Sequence, residues 1–128
     1  NDALAVDCLD RSLRIFREIE KPEGEADALN GLGAAQLGLG FAQQAVASYE
    51  RALSIYHKID HYKGEANALC GLGNARMALD QSKEAASLFT AALVLFRQLA
   101  DRQGETQVLR SISTADRRTN AAIENPGT

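Results

Sequence analysis

Residues 24–33 read GEADALNGLG, and residues 64–73 read GEANALCGLG. A looser third copy, GETQVLRSIS, fills residues 104–113. The interval is 40 residues each time. Gly24/Gly64/Gly104, Glu25/Glu65/Glu105 and Leu29/Leu69/Leu109 coincide in all three copies, and Leu32/Leu72 become Ile112. Gly31/Gly71 and Gly33/Gly73 coincide twice, with Ser111 and Ser113 in the third copy. Residues 21–60 and 61–100 share 13 identities in 40 positions. Chance gives about 2 or 3 for an average composition. A repeat of this kind decides the architecture before any local reading does.

The same register extends to a second group: Ala5/Ala45/Ala85, Leu9/Tyr49/Phe89, Ser12/Ala52/Ala92, Leu13/Leu53/Leu93 and Phe16/Tyr56/Phe96. Ala45, Tyr49, Ala52, Leu53 and Tyr56 fall on one face of a helix with 3.6 residues per turn. A shorter helix before it carries Ala28, Leu29, Leu32 and Ala35. Gly40 suits a left-handed C-terminal cap. Asp80, at the equivalent place, reads as a cap for the following helix. Pro22 lies just before a short helix, where its missing N–H costs little. Glu25, Glu65 and Glu105 fall in first turns, where the helix dipole favours negative charge. The pattern predicts six helices, near 2–19, 24–38, 42–59, 64–78, 82–99 and 104–118. Gly33, Ala45 and Ala52 are small enough for close helix approach, and Tyr49 and Phe89 read as core wedges between helix pairs.

Composition agrees. The 128 residues include 22 Ala and 16 Leu against 4 Val and 6 Ile, a balance that favours helix over strand. The net charge of -3 gives no basic signal for nucleic acid. No apolar run approaches the roughly 20 residues of a membrane span. Cys8 and Cys70 form no metal-like pair and read as reduced, small apolar residues of a cytoplasmic protein. The chain opens at Asn1 without a leader pattern, so the natural protein is expected to begin earlier.

Leu32-Gly33, Gly40, Ala45, Tyr49, Ala52 and Leu53 resemble the tetratricopeptide repeat signature, and Leu72-Gly73, Ala85, Phe89, Ala92 and Leu93 repeat it. The consensus Trp is replaced by Leu29 or Leu69, the later Tyr by Gln36 or Arg76, and the closing Pro is absent. With a 40-residue period, the chain resembles the long-helix variant found in kinesin light chains, cell-polarity adaptors and bacterial signalling proteins. The resemblance implies an all-α, right-handed superhelical solenoid of antiparallel helix pairs, ordered B-A-B-A-B-A. Residues 1–20 read as a half repeat, 21–60 and 61–100 as full repeats, and 101–118 as a last or capping helix. Residues 119–128, with Asn125-Pro126-Gly127, read as a flexible tail.

Catalytic patterns are absent: no GxxxxGK[ST], HExxH, GxSxG or CxxC occurs. His57 and His61 read as solvated surface residues, since a zinc pair would need two more ligands. No carboxylate pair can be assigned to acid/base work. The expectation is a protein that is not an enzyme and takes no cofactor and no metal.

In tetratricopeptide arrays the first helix of each repeat lines a concave groove. Carried over by position, the resemblance implies groove residues Asp27, Asn30, Ala34 and Leu37, then Asn67, Cys70, Asn74 and Met77, then Gln107, Arg110, Thr114 and Arg117. Asn side chains offer a donor and an acceptor to an extended backbone. Leu37 and Met77 offer adaptable apolar contact. Arg110 and Arg117 suit a carboxylate. The expected function is protein–protein interaction through this groove, with a peptide or helix carrying an acidic stretch as partner, and with neither nucleic acid nor membrane. The alternatives are self-association through the first or last helix, and sensing of a small ligand within a larger regulator.

Overall fold

The computed structural model describes residues 2–18 and 21–124; residues 1, 19, 20 and 125–128, and the side chains of Phe16 and Glu18, lie outside that description. Six helices follow one another: α1 (Asp2–Glu18), α2 (Pro22–Gly38), α3 (Ala42–Lys58), α4 (Tyr62–Ala78), α5 (Ser82–Gln98) and α6 (Arg102–Glu124). There is no strand among the described residues. Each helix packs on the next, and α2 also touches α4. The result is the all-helical solenoid that the 40-residue register predicts.

One joint chemistry is used four times. The residue after the C-cap of α2, α3, α4 and α5 is left-handed: Gly40 (φ 86°), Asp60 (φ 55°), Asp80 (φ 63°) and Ala100 (φ 56°). At the first joint Gly40 N–H donates to Leu37 O (3.0 Å) and Phe41 N–H to Gln36 O (2.8 Å). The same two bonds recur at the other three joints. This pair closes the helix end by satisfying carbonyls that the helix leaves open. Gly40 behaves as its sequence predicts. Asp80 does not cap the next helix: it ends α4, and Gln81 precedes α5. The two backbone bonds impose the left-handed turn, and Asp tolerates that region better than most residues.

The first-type helices begin two residues earlier than the sequence pattern suggests, at Pro22, Tyr62 and Arg102. Asp101 Oδ1 accepts from Gly104 N–H (2.9 Å), a side-chain cap on α6. His61 does the same for α4: its Nδ1 accepts from Gly64 N–H (2.9 Å). His61 Nε2 lies 3.1 Å from Glu23 Oε1, which assigns the ring proton to Nε2. His61 is therefore a capping residue rather than a solvated one. His57 is exposed and faces Glu65 Oε1 at 3.3 Å. That pair belongs to a series: Arg17–Glu25 (3.0 Å), His57–Glu65 and Arg97–Glu105 (3.0 Å) each tie a last turn to the following first turn. The repeated glutamates thus bind a neighbour as well as the dipole.

The wedges act as predicted. Tyr49 on α3 lies between Gly33 of α2 and Gly71 of α4, and Phe89 on α5 lies on Gly73 of α4. Tyr56 and Phe96 sit on Gly64 and Gly104 in the same way. Phe89 and Tyr56 are almost completely buried. Burying such a side chain stabilises the fold by about 1.5–3 kcal/mol. Ala45, Ala52, Ala85 and Ala92 are fully buried, so the small-residue stripe is where the helices approach.

The carboxyl-terminal end differs from expectation. Residues 119–124, read as part of a flexible tail, continue α6 through Glu124. Thr119 explains part of this: its hydroxyl lies 2.9 Å from Ser82 Oγ, at the start of α5. Ala122 and Ile123 border the same α5 terminus. The Asn125-Pro126-Gly127 turn lies outside the described residues.

Candidate functional site

The first-type helices α2, α4 and α6 carry all the groove positions. Asn74 and Met77 of α4 meet Arg110 and Thr114 of α6 in an open cleft of about 250 Å³, together with Phe89, Ser111 and Arg118. Arg110, Thr114 and Arg118 are spaced i, i+4, i+8, one face of a straight helix. Ser111 stands where the earlier copies have Gly31 and Gly71.

Arg118, which the sequence pattern did not single out, lines this cleft, whereas Arg117 does not border it. Arg118 Nη1 reaches Met77 O at 3.5 Å. Arg117 is exposed and donates to Thr114 Oγ1 at 3.4 Å. The usable signal was the register Gly38/Ala78/Arg118, where two small residues hid the position. The extension of α6 keeps Arg118 inside a helix instead of at its fraying end.

The other groove positions are separate from this cleft. Asp27 accepts a hydrogen bond from the Tyr56 hydroxyl and borders a larger cleft, about 700 Å³, with Pro22, Glu23, Asp60 and His61. Burial, and then the Asp27 bond, push the Tyr56 phenol above its usual range. Asn67, Gln107 and Ala34 are exposed. Asn30 is half-buried, and its Oδ1 is buried with no hydrogen-bond partner among the described residues. Leu37 packs against the core cluster of Tyr49 and Leu72. Cys70 packs against the cluster of Phe89, and burial pushes its thiol up to about 11. Cys8 is a free thiol and is exposed.

Among the described residues no three His, Cys, Asp or Glu side chains converge to hold a metal ion. None of the described helices is long and apolar enough to cross a membrane.

A family model for the tetratricopeptide repeat matches residues 1–58. The chain is a repeat protein of the tetratricopeptide type. No curated protein matches it. Tetratricopeptide proteins act in general as protein–protein interaction scaffolds and are typically not catalytic. As a tetratricopeptide array, the chain presents α2, α4 and α6 as inner helices and α1, α3 and α5 as outer ones.

Proposed function

We propose that the α4–α6 cleft binds a segment of a partner protein with acidic side chains facing Arg110 and Arg118. The functional unit in this reading comprises full repeats 21–60 and 61–100, flanked by α1 and by α6. One observation carries it: two arginines, an asparagine and a methionine line one open cleft. Arg110 and Arg118 have no carboxylate partner among the described residues. Eight helical residues separate them by about 12 Å along the axis, at 1.5 Å per residue. An extended segment covers that distance in about four residues, at roughly 3.3 Å each. Asn74 supplies a donor and an acceptor for the segment's backbone, and Met77 supplies a deformable apolar contact.

Fluorescence anisotropy tests this with labelled extended peptides that carry two glutamates four positions apart, against the same peptides with glutamine. The glutamate series binds and the glutamine series binds at least tenfold more weakly. Arg110→Ala weakens binding by about tenfold or more, the scale of a charge-assisted hydrogen bond. Asn74→Ala weakens it less, and neither change moves the melting temperature. Equal affinity in wild type and both variants removes the cleft from the mechanism.

A further inference from the structure

The third copy of the repeat departs from the first two along one line. Asn30 and Cys70 become Arg110, Gly31 and Gly71 become Ser111, Ala34 and Asn74 become Thr114, and Gly38 and Ala78 become Arg118. Each replacement is a hydrogen-bond donor, and all four border the α4–α6 cleft. The acids of α6, Glu105, Asp116 and Glu124, all lie outside it. A merely solvated face mixes both signs of charge.

One of these changes also makes the room. A Cβ on Gly71 would overlap the Tyr49 ring, so its absence lets α4 close on that ring. Phe89 is the α5 counterpart of Tyr49, and Ser111 the α6 counterpart of Gly71. Ser111 and Phe89 border the cleft together. Helix α2 packs against α4, whereas α6 stands further from α4. The Ser111 side chain accounts for that gap by holding α6 off the ring. The cleft of about 250 Å³ is smaller than the roughly 300–1,000 Å³ of a small-molecule site, so it suits one group of a larger partner.

We propose that this group is a phosphorylated serine or threonine of the partner segment, seated between Arg110 and Arg118, so that phosphorylation switches docking on. The inference rests on the peptide reading of the same cleft. A carboxylate has two oxygens in one plane, and a single guanidinium satisfies both. A phosphoryl group has three acceptor oxygens and a charge near -2 at about neutral pH. Thr114 lies midway between the arginines, about 6 Å along the axis from each at 1.5 Å per residue, within the length of an arginine side chain. Asn74 is level with Thr114 in the register and faces it across the cleft. The Ser111 and Thr114 hydroxyls donate to Gln107 O (3.3 Å) and Arg110 O (3.1 Å). Both carbonyls lie inside α6 and also take the helix's own N–H, so the hydroxyls can turn to the ligand at little cost.

Fluorescence anisotropy on the full chain tests this with one labelled peptide free of other acids, carrying phosphoserine, serine or glutamate at its centre. The phosphoserine form binds about tenfold or more tighter than the glutamate form, and the serine form binds weakest. Arg118→Lys keeps the charge, loses the planar fork and weakens phosphoserine binding, whereas Arg117→Gln, outside the cleft, changes it little. Ser111→Gly weakens it more than Ser111→Ala, because only the glycine lets α6 close on Phe89. Circular dichroism and melting confirm that the variants fold. Phosphoserine binding no tighter than glutamate, while the two-glutamate peptides still bind, overturns this proposal and leaves the peptide reading standing. No binding by either series overturns both. Inorganic phosphate that competes as well as the unlabelled phosphopeptide overturns the partner segment in favour of a free anion. Equal losses in Arg117→Gln and Arg118→Lys overturn the seat in favour of diffuse charge.

Discussion

The ring of Tyr49 occupies the space that a side chain at Gly71 would need. A Cβ there would fall far inside contact distance of Tyr49 Cε1, and the same ring bears on Gly33 from the other side. One aromatic therefore sets the spacing of three helices. The equivalent contact in the preceding copy, Leu9 on Gly31, is looser, at 3.0 Å.

Gly71→Ala is expected to destabilise the fold by about 1–3 kcal/mol, the usual penalty for overpacking a rigid site. Tyr49→Leu in the same chain relieves part of that penalty, because leucine can move its methyl groups. Urea denaturation of the two single variants and the double variant measures the coupling. Additive losses would show that the clash is not the cause.

The left-handed joints give opposite expectations at equivalent places. Ala100 has φ 56° and carries the strain of a Cβ in that region, so Ala100→Gly stabilises by about 0.5–1 kcal/mol after the entropy loss of glycine. Gly40 has φ 86°, and the space its Cβ would fill is open to 4 Å, so Gly40→Ala destabilises by a similar amount through backbone strain alone. Thermal melts of the two variants should move in opposite directions.

Two ionisable groups shift in opposite directions and contribute at opposite ends of the pH range. The Lys63 hydrogen bond, with the Gly104 N–H, holds the Asp101 carboxyl below its ordinary 3.8. A depressed carboxylate contributes stability above its unfolded value, and that contribution disappears as pH falls through the folded value. Asp101→Asn should flatten the acid limb of the stability curve. Tyr56 is shifted the other way, so its contribution holds below 10.0 and is lost as pH rises through the folded value. Phenolate absorbance should show Tyr56 ionising late, with unfolding. Tyr56→Phe removes its share of that signal and leaves the share of Tyr49, whose phenol burial also pushes up.

The thiols should separate by rate. Cys8 is exposed, whereas Cys70 is half-buried with its thiol pushed up to about 11. The thiolate is the reactive form. A neutral-pH titration with a chromogenic disulfide should label one thiol per chain quickly and the second only with slow opening. Cys8→Ser removes the fast phase.

The repeat, the helical faces and the small-residue stripe were legible in the sequence, because a 3.6-residue period writes burial directly into residue type. Gly40 was legible too, since glycine announces its own backbone freedom. Ala100 was not, because its left-handed turn is imposed by two backbone hydrogen bonds and not by its side chain. Asn74, Met77 and Arg110 were placed on the inner face by register, and the tertiary structure brought them into one cleft. It also tied Asp27 to Tyr56, 29 residues away, and substituted Arg118 for Arg117. Periodicity specifies which way a residue faces along its own helix. Which neighbour it meets depends on the rotation and offset between helices, and those are decided only when the wedges and glycines pack.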